Sequence, residues 1–135
     1  MESFSVRVAD IQPSQLYICE EKLKAVLKAM NAGEALEPVP IKELDGQLIY
    51  SDGHTRALAA LLHGETSIQA CWEDESLDWD EYRSCVDWCM EAGIRTVSDL
   101  RERVIPAADY ATKWIGRCQG MHKDLASRRR MEGVQ

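Results

Sequence analysis

A run of five residues, Asp52-Gly53-His54-Thr55-Arg56, brings together most of the side-chain chemistry that a small binding site needs. Arginine can donate two parallel hydrogen bonds to a phosphate or carboxylate, and threonine adds a hydroxyl. The imidazole of histidine titrates near neutral pH, and aspartate can cap a helix, accept a proton or bind magnesium. These residue types indicate an anion site with candidate acid–base groups at Asp52 and His54.

This run lies between a predicted strand and a predicted helix. Residues 47–51 have the pattern of a strand, and apolar residues then recur at helical spacing through Leu62. The first backbone N–H groups of a helix have no partner within it, and the helix dipole places about half a positive charge there. Such a helix start binds anions. Because the same residue types also cap ordinary strand-to-helix junctions, a purely structural role is the alternative.

The first half of the chain contains further segments that could hold this junction in place. Predicted strands cover residues 6–11, 39–44, 47–51 and 68–72, and an amphipathic helix covers residues 20–31. The two middle strands are separated by Asp45-Gly46, a dipeptide with a strong preference for two-residue turns. We therefore expect these two strands to form a β-hairpin.

The second half has helical patterns only. Helices are predicted over residues 82–93 and 97–104, the second with Thr96 or Ser98 as its cap, and Pro106 can begin a third. The apolar stripe of the third helix should face inward, and its members are Tyr110, Trp114, Ile115, Cys118, Met121 and Leu125.

Together these patterns predict an α+β fold in two parts. Residues 1–75 form a small mixed sheet with helices, and residues 76–135 form a helical extension packed on it. A chain of 135 residues fits a single core of common size. No Gly/Ser/Pro-rich linker separates the parts, so we expect one folding unit.

Composition narrows the classes of function. Sixteen basic against 23 acidic residues give a net charge of −7, which disfavours DNA as a partner. No apolar run approaches the roughly 18 residues of a membrane span, and residues 1–7 lack the features of a secretory signal. We therefore expect a cytoplasmic protein without a membrane partner. Five cysteines, an odd number without a CxxC unit, indicate free thiols and no metal site.

The order of elements from residue 6 to about residue 72 resembles the ParB/sulfiredoxin superfamily. The resemblance rests on the phrase DGHTRALAA at residues 52–60, on residues 11–16 after the first strand and on the strand that begins Val39-Pro40-Ile41. It is strongest to the ParB-like domain that is also found in free-serine kinases. The family implies a nucleotide whose phosphates are held at a helix start, here by Gly53, His54, Thr55 and Arg56.

Members of this superfamily differ in chemistry, and the sequence disfavours two branches. Sulfiredoxins use a cysteine immediately before the His/Arg pair, whereas Gly53 stands there and no cysteine lies between Cys19 and Cys71. Partition proteins carry an arginine-rich signature and a helix-turn-helix for DNA. This chain has one arginine in the loop, and an acidic run follows the domain.

The kinase-type branch implies a phosphotransferase that acts on a small hydroxyl-bearing acceptor. Its nucleotide would be ATP, ADP or CTP, with Mg²⁺ as a further candidate, and Asp52 and His54 carry over as candidate catalytic residues. These kinases also use a glutamate as base, for which Glu20 is the first candidate, with Glu21 and Glu43 as alternatives. Two alternatives remain. The protein is a non-catalytic module whose helical half recognises a protein or nucleic acid, or it is a scaffold without a ligand.

Overall fold

The computed structural model describes residues 2–133 and confirms the predicted α+β class. Its strands and helices, in chain order, are β1 (Phe4–Arg7), β2 (Ile18–Cys19), α1 (Glu20–Asn31), β3 (Val39–Leu44), β4 (Gln47–Tyr50), α2 (His54–Leu62), β5 (Ser67–Trp72), α3 (Trp79–Glu91), β6 (Val104–Ile105), α4 (Ala107–Tyr110) and α5 (Gly116–Gly133). Four strands form one sheet in the order β1-β5-β3-β4. Within it β3 and β5 are parallel, and the other neighbours are antiparallel.

The β3–β4 hairpin forms where Asp45-Gly46 predicted it. Ile41 lies opposite Tyr50, and the pairing continues up to the two turn residues. Asp45 and Gly46 both have positive φ, 54° and 81°. A two-residue type I′ turn requires positive φ at both positions, which is why Asp-Gly favours it. The hairpin therefore carries the chain back across the sheet to the start of α2.

Helix α2 lies at the centre of the fold. Ala57, Leu58 and Ala59 have no exposed surface, and Ala60 is 2% exposed. The small alanine side chains let neighbouring elements approach closely, and α2 packs against α1, the sheet and the 3₁₀ helix Val97–Arg103. Because α2 is held from several sides, the position of its first turn is fixed by core packing.

The two halves of the chain share one hydrophobic core and are also joined by a short parallel pairing. In this pairing β2 lies beside β6, with Ile18 next to Val104 and Cys19 next to Ile105. Neither strand was predicted, because two residues are too few to show a periodicity. The pairing brings the segment that precedes α4 against the segment that precedes α1.

Several predicted elements have other bounds or another type in the structure, and the helix predicted over residues 82–93 is α3, Trp79–Glu91. The first strand is Phe4–Arg7, and the residues that follow it form a 3₁₀ helix, Val8–Asp10, instead of continuing the strand. The segment predicted as a short α-helix is the 3₁₀ helix Val97–Arg103. Thr96 is its N-cap, one of the two predicted caps, in a capping box with Asp99.

A π turn, Ala111–Ile115, joins α4 to α5. Ile115 was predicted to face the core and is instead 42% exposed, because at about 100° per residue it lies at the edge of the stripe that the other members form. The other five members of the predicted stripe are buried or partly buried: Tyr110, Trp114, Cys118, Met121 and Leu125.

All five cysteines are free thiols, four of them buried and Cys118 partly buried. Within residues 2–133, no three side chains of His, Cys, Asp or Glu are grouped so that they could hold a metal ion. Across the same residues, none of the helices has both the length and the apolar character that crossing a membrane requires.

Candidate functional site

The chain enters α2 through Gly53, which has a left-handed backbone conformation with φ of 77°. A Cβ at this position would lie 2.9 Å from Arg56 Nη2 and 2.9 Å from Val39 Cγ1. Glycine is the residue that meets both restrictions without strain. The preceding Asp52 accepts a hydrogen bond from the Gly53 N–H through Oδ1 at 2.8 Å. The Asp52 side chain therefore stabilises the turn, and the backbone freedom of Gly53 permits its conformation.

The start of α2 presents three backbone N–H groups that are free to bind a ligand. The first hydrogen bond of the helix runs from the Ala57 N–H to the Gly53 carbonyl, at 3.0 Å. The N–H groups of His54, Thr55 and Arg56 have no acceptor among the described residues. They lie at the positive end of the helix dipole. This arrangement favours an anion.

A cleft of about 430 Å³ lies against this helix start, and we call it the α2 cleft. Its lining comprises Gln15, Lys22, Ala25, Val26, Asp52, Gly53, His54, Thr55, Arg56 and Tyr110. The structure thus brings all five residues of the predicted run to one cleft. Two cations, Lys22 and Arg56, face one carboxylate, Asp52. The lining therefore has a positive formal charge in a chain whose net charge is −7.

Sequence reasoning did not identify Lys22 and Tyr110 as residues of this cleft. Lys22 Nζ lies 5.8 Å from the centre of the Tyr110 ring, a distance at which the ammonium is attracted to the aromatic face. The sequence predicted an amphipathic helix over residues 20–31 with no role for Lys22, and it assigned Tyr110 to an apolar stripe. No pattern in the sequence shows that α1 and α4 meet, because the β2–β6 pairing that brings them together has no sequence signature.

His54 is buried and neutral. Its exposed fraction is 4%, and its Nε2 accepts a hydrogen bond from the Ser14 backbone N–H at 2.9 Å. Burial lowers the pKa of His54 to about 4, against an opposing effect of the Asp52 carboxylate. Because Nε2 is an acceptor, the proton of the neutral imidazole is on Nδ1, which has no partner among the described residues. His54 therefore anchors the segment at Ser14 and does not exchange protons near neutral pH.

Half of the Arg56 guanidinium is committed to the fold. Nη1 donates to the backbone carbonyls of Glu37 and Pro38, at 3.1 and 2.9 Å. Nη2 lies over Gly53. Nη2 and Nε make no hydrogen bond with the described residues, so they can still bind a ligand. Arg56 therefore has two roles, because it fixes the linker before β3 and also borders the α2 cleft.

Among the candidate catalytic carboxylates, Asp52 alone lines the α2 cleft, where it is exposed. Glu20 lies at the start of α1, pairs with Lys24 at 3.1 Å and is not part of the lining. Glu21 and Glu43 are exposed and also lie outside the lining. Asp52 is therefore the candidate base that a ligand in the cleft would meet.

A second pocket, of about 260 Å³, also borders His54 and lies beneath α5. We call it the α5 pocket, and its lining residues are Ser14, Gln15, Ser51, His54, Glu81, Tyr82, Cys85, Trp114, Cys118, Met121 and His122. Interaction with the Cys85 thiol lowers the pKa of Cys118, and the same interaction with burial raises the pKa of Cys85. Cys118, which is partly exposed, is therefore the more reactive thiol of the two.

Comparison with known proteins gives a similarity of fold. No protein-family model matches the chain, and no curated protein matches it. Among solved structures, the crystal structure of protein Atu1540 from Agrobacterium tumefaciens is similar, with a TM-score of 0.51 and 15% sequence identity. The similarity covers 73% of this chain and 61% of that chain, so this chain spans less than two thirds of its neighbour. At this identity the likeness supports the α+β fold and carries no function.

Proposed function

We propose that the protein binds a nucleotide through its phosphates in the α2 cleft. The observation that carries the proposal is the set of free backbone N–H groups at His54, Thr55 and Arg56, which share the cleft with the Lys22 side chain. A phosphate offers acceptors to all of these donors. Its negative charge is stabilised by the helix dipole and by both cations of the lining.

The size and lining of the cleft also suit a nucleotide. Pockets for small molecules typically measure about 300–1,000 Å³, and the α2 cleft, at about 430 Å³, is larger than a phosphate group alone requires. Away from the helix start, the lining includes Val26 and the Tyr110 ring. An aromatic face of this kind can pack against a nucleobase or sugar. ATP, ADP and CTP are the nucleotides that the ParB-like resemblance suggests.

Magnesium fits this proposal through Asp52 and Thr55. Mg²⁺ in phosphate-binding proteins commonly has one or two carboxylate ligands, together with phosphate oxygens and water. Asp52 is exposed at the cleft and has one oxygen, Oδ2, without a hydrogen bond to a described residue. It would be the carboxylate ligand, and the Thr55 hydroxyl would be a neutral one. Bound Mg²⁺ would offset the phosphate charge beside Asp52.

The geometry favours binding without catalysis over phosphoryl transfer. A kinase needs a base for the acceptor hydroxyl. The pKa of His54, about 4, and the hydrogen bond at its Nε2 remove it from that role, and Glu20 pairs with Lys24 outside the cleft. Asp52 remains the candidate base for transfer to a small hydroxyl-bearing acceptor. We therefore place nucleotide binding first and phosphotransferase activity second.

Titration calorimetry with ATP, ADP and CTP, each with and without Mg²⁺, tests the proposal. Lys22→Ala should weaken binding about tenfold or more, since a charged hydrogen bond contributes about 1.5–3 kcal/mol. Lys24→Ala is the matched control, because Lys24 is on the same helix and outside the cleft. Arg56→Ala is a less direct test, because it also releases the carbonyls of Glu37 and Pro38.

Equal affinity in Lys22→Ala, Lys24→Ala and the unaltered protein would exclude the α2 cleft as the phosphate site. A separate assay decides between the two functions. Phosphoryl transfer from a bound nucleotide to serine, lost in Asp52→Asn, would establish the phosphotransferase. Binding without transfer to any hydroxyl-bearing acceptor tested would support the non-catalytic module.

A further inference from the structure

The α5 pocket has features of a second ligand site that does not depend on nucleotide binding. It lies between the body of the protein and the last helix, and its volume of about 260 Å³ suits a small molecule. Its lining combines Ser14, Ser51 and His54 with residues of α5, among them Cys118 and Met121. Two partly exposed side chains of the lining, Glu81 and His122, form a pair whose Oε2 and Nε2 are 3.2 Å apart.

The π turn, Ala111–Ile115, contains the largest side chain of this pocket. Trp114 is 6% exposed and lies edge-on to Trp88, with ring centres 6.1 Å apart. From Trp114 onward, Cys118, Met121 and His122 follow at spacings of four, seven and eight residues and line the same pocket. π turns within α-helices frequently occur at functional sites.

The hydroxyl groups of the pocket wall offer hydrogen-bond acceptors, and His54, through its Nδ1–H, which is unpaired among the described residues, adds one donor. The Ser14 hydroxyl donates to the Tyr50 carbonyl at 2.7 Å. The hydroxyls of Ser51 and Tyr82 likewise donate to groups of the protein. Each hydroxyl hydrogen is therefore already used, while each oxygen can still accept. At these hydroxyls, a ligand group that donates hydrogen bonds fits better than one that accepts them.

The charges of the lining also favour a cationic ligand. Glu81 is the one carboxylate of the lining, and no lysine or arginine lines the pocket. Trp114 and Tyr82 also line the pocket, and aromatic rings attract a cation. An anion would meet no permanent positive charge here, in contrast to the α2 cleft, which has Lys22 and Arg56.

We propose that the α5 pocket binds a small primary amine with an aromatic or other apolar body. The ammonium would bind the Glu81 carboxylate in place of His122 and donate to hydroxyl oxygens of the wall. The apolar body would lie against Trp114 and Met121. An ammonium has three donors and no acceptor, which matches a wall whose hydroxyl hydrogens are used.

Three compounds of nearly equal size and different charge test the proposal on the full chain. Benzylamine is a cation, benzyl alcohol is neutral and benzoate is an anion, and binding is followed by NMR titration. Benzylamine should bind about tenfold more tightly than benzyl alcohol, and benzoate should not bind saturably. Glu81→Gln should reduce the preference for the amine to about twofold. Asp80→Asn is the matched control on the same helix, outside the pocket, and should leave the preference unchanged.

Alkylation of Cys118 by iodoacetamide locates the ligand. Cys118 lines the pocket and is the partly exposed thiol of the chain, so bound benzylamine should slow its modification, measured by mass spectrometry. Three outcomes would each overturn the proposal: no saturable binding of benzylamine, the same preference in Glu81→Gln as in Asp80→Asn, or binding that leaves Cys118 alkylation unchanged. Because benzylamine carries no phosphate, none of these outcomes bears on the nucleotide site.

Discussion

Helix α2 and helix α5 border the two cavities of interest and are held in opposite ways. In α2, five of nine residues are buried, and Ala57, Leu58 and Ala59 have no exposed surface. In α5, which has 18 residues, Met121 alone is buried. Outer contacts of α5 include ion pairs from Arg129 to Asp78, at 2.6 Å, and to Asp80, at 3.3 Å.

This difference assigns different mechanical roles to the two helices. The start of α2 is fixed by core packing, so its N–H groups are preorganised and a phosphate would not have to order them. Helix α5 is held by few buried side chains and by exposed ion pairs, so it can open at lower free energy than the core. We therefore expect the α2 cleft to have a rigid wall at α2, and the α5 pocket to have a movable wall at α5.

The largest effect that separates the two helices should come from removing a leucine from each. Leu58→Ala should lower the free energy of unfolding by about 3–5 kcal/mol, because it opens a cavity in a closed core. Leu125→Ala, on the partly buried face of α5, should cost about 1 kcal/mol. Urea denaturation of both variants measures the difference. Equal costs would mean that α5 is as much a part of the core as α2.

The accuracy of the predictions from sequence also differs between regions of the molecule. The hairpin at Asp45-Gly46, helix α1 and the junction at Asp52–Arg56 were predictable because local residue types determine them. Short-range patterns cannot show the β2–β6 pairing or the π turn, since one depends on residues far apart in sequence and the other departs from regular helical spacing. Short-range patterns also could not place Lys22 of α1 in the α2 cleft. They could not show the burial of His54, which removes the acid–base role that its residue type suggested.

The second effect concerns the pH dependence of stability through His54. Its pKa is about 4 in the folded protein and near 6.5 in an unfolded chain, so between these values the unfolded state binds more protons. Stability from this group is complete above pH 6.5 and is lost as the pH falls towards 4, by about 3 kcal/mol. His54→Gln, which can still accept the Ser14 N–H, should have a flatter profile. Denaturation across this pH range tests the difference, and parallel profiles would contradict a buried neutral imidazole.

The third effect separates backbone strain from close packing at the junction. Gly53→Ala should destabilise by roughly 2 kcal/mol, since its φ is positive and a Cβ would meet Arg56 and Val39 at 2.9 Å. Gly64→Ala, also with positive φ but with no atom within 4 Å, is the matched control and should cost less. Thermal unfolding compares the two variants. A greater loss in Gly64→Ala would show that the turn at Gly53 is not tightly packed.

The smallest effect is expected at the exposed end of α5. Arg129→Ala removes the ion pairs with Asp78 and Asp80. It should lower Tm slightly at low salt, and the difference should vanish near about 1 M salt, where exposed charges are screened. Lys123→Ala, on the same helix, is the control variant. A loss of Tm that persists at high salt would assign Arg129 a packing role.

The most direct test of the central claim, that α2 begins a phosphate site, follows the backbone amides of His54, Thr55 and Arg56 by NMR. ADP and adenosine are titrated in parallel, so that the phosphates are the only difference between the ligands. We expect ADP to shift these three amide signals most and in a saturable manner, and adenosine to leave them near their original positions. Equal shifts with adenosine, or ADP shifts confined to other parts of the protein, would contradict the account.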